Sequence, residues 1–433
     1  MRLTLLLIVT ALATLFSSCT PRNKAADDSS LISIQVIDRN GFAETISNKD
    51  RLARYQKTDF TEPQSYEKVL RVFGKSEDGK TPSVMTSYHS NGYIHQYLDI
   101  SNGRAHGLYR EWHFNGTEKM KLHVIEGAPE LSDAAVKSWV FDGVNKVWDE
   151  NGNLIAEIPY EIGVLQGTSF YYYPSGQIKK QVPYVQDEVH GLLICYRENG
   201  EIEETIPHEK GLRNGKASSF FPNSVLAYEE TFENGLLVEG VYYAENGEIL
   251  SKIEDGNGKR SERENDHLKR LVQYQKGLPE GLVECFDEKG QLRVAFHQEN
   301  GKKQGEEWEY YPTKSKSDPL KPKILLNWQE DALQGMVKTW FPDGKQESQK
   351  EMYQNKKSGV AYAWYRNGDL MLYEEYEKDD LSSGTYYKKG DKQPISRVSL
   401  GRGTATLYHP DGYLLQKISY EKGVPSLNYD TTK

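Results

Sequence analysis

A basic excess is lacking in this sequence, cysteines and long apolar runs are scarce, and each of these absences excludes something. Lysine and arginine number 54 against 63 aspartates and glutamates, a formal charge of -9. Nucleic-acid binding needs a basic footprint, so it is not expected. There are three cysteines, Cys19, Cys195 and Cys285, and no zinc-type spacing. Leu3 to Phe16 is almost wholly apolar but too short to span a bilayer comfortably, and no second apolar span follows. Catalytic signatures are lacking too: no GxSxG elbow, Walker A loop, HExxH helix or Rossmann fingerprint occurs. The expectation is a non-enzyme with no catalytic residue, no metal and no cofactor.

What the chain has instead is a motif that returns about every 24 residues. An aromatic leads into a tight turn: Tyr88-His-Ser-Asn-Gly92, Trp112-His-Phe-Asn-Gly116, Trp148-Asp-Glu-Asn-Gly152, Tyr172-Tyr-Pro-Ser-Gly176, Tyr196-Arg-Glu-Asn-Gly200. Weaker copies follow to Tyr408-His-Pro-Asp-Gly412. A fixed period of this kind means a repeat architecture. Proline at the third motif position, as in Pro174-Ser175-Gly176, suits a type I turn, and glycine accepts a left-handed conformation. A second glycine pair, such as Gly163 and Gly167 or Gly211 and Gly215, precedes each tip aromatic. The chemistry is that of a short β-hairpin with a glycine bulge.

The segments between turns alternate with period two. Leu154, Ala156, Ile158 and Tyr160 share one face, and Thr168, Phe170 and Tyr172 share another. Each repeat is then two strands, and thirteen tip-like segments imply about 26 strands. The expected fold is all-β: an elongated repeat protein, an antiparallel β-hairpin meander in a single twisted sheet. Tyrosines and tryptophans are expected to stack along the ladder. Pro159, Pro183 and Pro207 predict a bulge or strand end in three consecutive repeats, because proline cannot donate to a central ladder. Cys195 and Cys285 fall three repeats apart, beyond disulfide reach, and are expected to be unpaired.

The period fails in three places, near residues 120–147, 250–268 and 312–323. Insertions in repeat proteins emerge on one face, often the binding face; the plainer reading is solvated loops. Residues 31–83 are irregular and read as a capping region, with a hairpin around Asn40-Gly41 and a helix or strand from Tyr66 to Phe73. His106 and His190 precede turn glycines in equivalent positions and read as turn residues rather than a metal pair. The acidic pairs Glu229-Glu230 and Glu374-Glu375 read as solvated strand charges rather than an acid and base of an unrecognised hydrolase.

The N-terminus reads as an export signal: Arg2, the apolar run, then Ser17-Ser18-Cys19. Phe16-Ser17-Ser18-Cys19 resembles the bacterial lipobox, with Phe16 where leucine is usual. The resemblance implies lipidation of Cys19, and Thr20 after it implies outer-membrane delivery. The organisation is then a lipoprotein signal peptide at 1–18, a flexible tether at 19–30, the capping region at 31–83, the repeats at 84–427 and a tail at 428–433.

The repeats themselves resemble the MORN variant, a glycine- and tyrosine-rich hairpin module of many bacterial proteins. The resemblance rests on Glu209-Lys-Gly-Leu-Arg-Asn-Gly215 with Phe220 to Ser224, on Gln275-Lys-Gly-Leu-Pro-Glu-Gly281 with Phe286 to Gly290, and on Glu299-Asn-Gly-Lys-Lys-Gln-Gly305 with Trp308 and Tyr310. It implies a fold, and only weakly a function. The expected function is a non-catalytic, lipid-anchored cell-envelope scaffold for a protein partner, held to the membrane through acylated Cys19. A glycan- or lipid-headgroup-binding surface is the alternative. An antitoxin-like role stands as family analogy, against which the export signal argues.

Overall fold

The computed structural model describes residues 30–264, 267–315 and 318–426. The expected signal peptide, Cys19, the tether up to residue 29 and the tail lie outside the described residues. The chain divides into two units, residues 1–188 and 189–433. Each is an antiparallel β-hairpin meander in which two kinds of turn alternate. The all-β meander expected from the period is therefore the fold.

The first kind of turn closes the tips. In the first unit the Gly152 N–H donates to the Asp149 carbonyl at 3.0 Å, and Gly152 has φ +83°. In the second unit Gly344 and Phe341 repeat the bond at 2.9 Å. This is the type I turn with a left-handed glycine that the motif predicts.

The second kind joins the other ends of the strands. Two consecutive residues both take positive φ, as in Ile162 and Gly163 (+47° and +87°) or Leu400 and Gly401 (+49° and +71°). That is the type I′ signature, whose twist matches that of the flanking strands. Asp187, Asp331, Asn355 and Asp379 stand where the other turns carry glycine. Each side chain accepts a backbone N–H from the neighbouring turn, from Leu165, Lys303, Leu333 and Lys357 respectively, at 2.7–2.8 Å. Aspartate and asparagine tolerate this conformation, and here they also tie one turn to the next. Leu400 does neither: it is 94% exposed and holds φ +49°. Leu400→Asn should stabilise the second unit by about 0.5–1 kcal/mol by removing that strain. A higher urea midpoint checks this, and an unchanged or lower one contradicts it.

Between the turns, the rising strands carry a bulge. Tyr160 pairs with Leu165 and Ala156 with Tyr171, so four steps along one strand answer six along the other. The second unit repeats this shift around Gly215, Gly281, Gly335 and Gly359. The predicted irregularity at Pro159 and Pro207 is real, but the extra residues sit on the partner strand. The carbonyls of Pro159 and Pro207 accept from Gln166 and Asn214 at 3.2 and 3.0 Å. A residue facing the bulge has no ladder partner for its N–H, so proline loses nothing there. Other repeats put a side-chain acceptor at the same place. Asp99, Gln273 and Glu351 accept the N–H that follows the bulge glycine, from Leu108, Leu282 and Val360, at 3.0–3.2 Å.

The bulge also corrects the strand count. Thirty-seven strand segments are present among the described residues rather than about 26. Rising strands split at the bulge into pieces such as Val164–Leu165 and Gly167–Tyr172, and the second period break adds strands of its own.

In the first unit, Leu31–Asp38 lies between Ala43–Ile46 and Tyr66–Phe73, the last a strand. Ala43–Ile46 has four residues, and its Glu44 pairs with Arg51 at 2.8 Å. A short, charged edge strand discourages edge-to-edge pairing. Beneath it Ile34, Ile46, Leu52, Phe60 and Val69 pack with Tyr88 and Trp112.

The first period break forms neither a solvated loop nor an open face. Ser132 caps a short helix, Asp133–Val136, by accepting the Ala135 N–H at 3.3 Å. Trp139 follows, buried, with its ring 4.8 Å from that of Tyr109 and its Nε1 donating to the Ala128 carbonyl at 2.9 Å. The segment seals an apolar cluster of Met85, Leu98, Tyr109 and Leu122. Its large indole makes this cover more stabilising than a loop in water.

Candidate functional site

The second period break is not a loop either. It is an additional hairpin, Ile249–Glu254 and Asn257–Glu264. The hairpin folds back because three neighbouring turns lock together. Gly277 donates to Gly256, Gly256 to Val238, and Leu237 to Gly277, at 2.8–3.2 Å.

This fold-back carries Arg260 to Glu230 on the strand Leu226–Glu233. Arg260 Nε and Nη2 reach Glu230 Oε1 and Oε2 at 2.6 and 3.0 Å, and the Tyr242 hydroxyl donates to Oε1 at 2.6 Å. Glu230 is 1% exposed. The solvated-charge expectation therefore holds for Glu229, which meets Lys216 at the surface, and fails for Glu230. Gly240 lies directly opposite Glu230 and has no side chain to compete for the space of Tyr242, whose hydroxyl oxygen would lie 2.8 Å from an added Cβ. Burial opposes the charge on Arg260, but the Glu230 carboxylate outweighs it and holds the guanidinium above its ordinary value. Burial, then Glu230, pushes the Tyr242 hydroxyl far up.

A pocket of about 370 Å³ lies beside this pair. Arg197, Arg260 and Arg263 line it together with Glu203, Glu204 and Glu262, and with Ser219, Phe220 and Tyr228 between them. Tyr228 donates to Glu204, Glu262 meets both Arg260 and Arg270, and the Arg263 guanidinium lies 4.2 Å over the Phe221 ring.

The same framework occurs a second time in this unit. Glu374 faces Gly384 and accepts from Tyr386 at 2.8 Å and from Tyr376 at 2.9 Å. Gly423, Gly401, Ser382 and Leu381 repeat the turn lock. Glu374 is buried, so the solvated-charge expectation fails there as well; its neighbour Glu375 stays at the surface with Tyr373 and Ser383. The sequence signal was legible: Leu237-Val-Glu-Gly-Val-Tyr-Tyr243 and Leu381-Ser-Ser-Gly-Thr-Tyr-Tyr387 share leucine, glycine and a tyrosine pair in register.

The third break sits at a tip. Gln291 grips Thr313 through two bonds, Nε2 to the carbonyl at 2.8 Å and the N–H to Oε1 at 3.1 Å. That holds the segment after Tyr310 against the tip Phe286–Gly290. A half-open pocket of about 700 Å³ results. Leu268, Phe286 and Pro312 contribute apolar surface, and the pairs Glu264–Lys269 and Asp287–Arg293 are among its lining charges. The second and third departures, far apart in sequence, are thus brought together.

Other residues singled out from the sequence resolve as structural. His106 Nδ1 meets the Ile125 carbonyl at 2.7 Å, and His190 Nδ1 accepts the Lys210 N–H at 3.4 Å, each in its own unit. No disulfide joins Cys195 and Cys285, and burial raises the Cys285 thiol. The stacked aromatics are present: Trp308 on Trp340 at 5.7 Å and Tyr362 on Trp364 at 5.9 Å. Among the described residues no group of three or more histidines, cysteines and acids is arranged to hold a metal. No helix among them is long and apolar enough to cross a membrane.

The tyrosines give the second unit a pH dependence. Burial, then a neighbouring carboxylate, raises Tyr242 and Tyr386; burial, then Glu157, raises Tyr172 of the first unit to about 12. The folded protein keeps these protons at a pH where the unfolded chain loses them. Their contribution is thus full below about pH 10 and falls as pH rises beyond it. The urea midpoint should decline from about pH 10 upward, with the Tyr242 and Tyr386 hydroxyls ionising only as the second unit unfolds. Ionisation of Tyr242 and Tyr386 near pH 10 in the folded protein, read from their own ring resonances, would contradict this.

The repeated hairpin defines a β-repeat protein of the kind that works through binding or interaction. The family model for the MORN repeat variant matches residues 141–161, 165–186 and 213–234, so the chain carries MORN-variant repeats. No curated protein matches it. Among solved structures it is similar to the crystal structure of TcdB2-TccC3 without its hypervariable C-terminal region, at 10% identity and TM-score 0.13 over 85% of this chain and 25% of that one. The crystal structure of TcdB2-TccC3-TEV matches at 10% identity and TM-score 0.13 over 90% and 24%. The chain thus spans about a quarter of the length of each.

Proposed function

We propose that this chain is a non-catalytic scaffold of a bacterial cell envelope. In this reading it is anchored through acylated Cys19, resides at the outer membrane, and presents its repeats to another protein. The observation that carries the reading is the tip pocket of the second unit, where two departures from the period meet. Leu268, Phe286 and Pro312 offer apolar contact among charged pairs, the composition of a protein-binding patch. The carboxylates that could have served an enzyme support the non-catalytic half. Glu229 is held by Lys216, Glu230 by Arg260 and Tyr242, Glu374 by Tyr376 and Tyr386, and Glu375 by Tyr373 and Ser383.

Crosslinking in intact cells followed by capture, with and without Cys19→Ala, tests both halves. The reading expects a discrete protein adduct with the native chain. It expects the variant to leave the membrane fraction, and mass spectrometry to find an acylated N-terminal cysteine on the native chain. No enriched partner, or unchanged membrane fractionation of the variant, would count against it.

A further inference from the structure

We propose that the pocket beside Arg260 binds a neutral, polyhydroxylated ligand of saccharide class. The argument rests on the two copies of one framework in the second unit. The strand pairings and turn locks align them residue by residue. Aligned this way, Glu204 corresponds to Ser348, Tyr228 to Leu372 and Arg260 to Ala405. Glu262 corresponds to Leu407 and Arg263 to Tyr408.

The second copy therefore builds the same fold with small and apolar residues. Leu381, Tyr386, Val398 and Ala405 pack there with Leu372, Leu407 and Ile418. Fold alone does not call for the charged set in the first copy. Buried ion pairs usually add little stability over apolar residues of similar volume, and often subtract some. A polar pocket kept where its twin carries Leu372, Ala405 and Leu407 points to binding.

The lining also defines the class of ligand. Three guanidinium groups and three carboxylates surround the space, so neither an anion nor a cation is favoured by net charge. The carboxylates accept, the guanidinium groups donate, and the Ser219 and Tyr228 hydroxyls, whose protons go to the Glu203 carbonyl and the Glu204 carboxylate, keep lone pairs that accept. A ligand whose every polar group is both donor and acceptor suits such a wall, and that is a hydroxyl-rich one. Partners outside the pocket fix several of the groups in place. Glu230 holds Arg260 from behind, Arg270 holds one Glu262 oxygen, and Phe221 lies under Arg263. Held groups lose little freedom when a ligand arrives. Phe220 supplies an apolar surface for the carbon face of a sugar ring. A volume of about 370 Å³ lies in the range of small-molecule sites.

The test uses the full mature chain and titration calorimetry against N-acetylglucosamine, chitobiose, maltose and mannobiose, with inorganic phosphate and glycine betaine as charged and zwitterionic probes. The triple variant Glu204→Ser, Glu262→Leu, Arg263→Tyr gives three charged positions of the lining the residues of the twin while leaving the Arg260–Glu230 pair intact. It should fold with a native circular-dichroism spectrum and weaken saccharide binding about tenfold or more, the loss of one or more good hydrogen bonds. If that variant fails to fold, Glu204→Gln alone should still weaken binding several-fold. The proposal is overturned if none of the four saccharides binds the native chain, if phosphate or betaine binds in their place, or if binding survives the substitutions.

Discussion

Arg260→Ala should cost the second unit about 3–5 kcal/mol, because it leaves the Glu230 carboxylate buried without its counter-charge. Glu230 would keep only the Tyr242 hydroxyl, and it is 1% exposed, so water cannot easily take the place of the guanidinium. The twin framework supplies its own control. There Ala405 stands where arginine does, and Glu374 accepts from two hydroxyls instead of one. The second of them belongs to Tyr376, and the corresponding residue in the first copy is Phe232, whose ring carries no hydroxyl. Phe232→Tyr in the Arg260→Ala background should therefore restore about 1.5–3 kcal/mol, the worth of a hydrogen bond to a charged group. Urea unfolding of the single and double variants checks both figures. A loss under about 1 kcal/mol for Arg260→Ala would mean that water or a shifted neighbour satisfies Glu230.

Gly258→Ala carries the other large effect. Gly258 has φ +142°, and a Cβ there would lie 2.1 Å from the Lys252 carbonyl oxygen. The obstacle is backbone of the paired strand, which cannot swing aside as a side chain can. Relieving it requires moving the hairpin that carries Arg260. The expected cost is roughly 3 kcal/mol or more, combining a strained conformation with lost pairing. Gly211 offers the contrast: it also has positive φ, but no atom lies within 4 Å of its added Cβ. Gly211→Ala should cost only about 1 kcal/mol. Equal losses at both sites would show that dihedral strain alone, and not the close approach, governs Gly258.

The repeat made most of the fold legible from sequence. Tip turns, strand alternation, the aromatic stacks and the irregularity near Pro159 and Pro207 follow from local chemistry within about 24 residues. What escaped depends on contacts across repeats. Glu230 looks like any strand glutamate until Arg260 returns to it from the hairpin that breaks the period. Trp139 likewise reads as part of a loop, because its partner Tyr109 lies one repeat earlier. The prolines predict a bulge or strand end but not its strand, because proline marks where a ladder bond is missing and not which strand carries the surplus residues. The candidate site was legible in outline only: two of the breaks in the period mark its position, but not the side chains they bring together.

Site-specific photo-crosslinking in intact cells tests the interaction reading most directly. A photoreactive residue would replace, one at a time, His267, Lys289 and Thr313 around the tip pocket, and Glu198, Asp343 and Asn367 at regular tips of the same unit. The account predicts a discrete protein adduct from the first three positions and little from the others. Adducts at the regular tips alone, or none at any position, would contradict it.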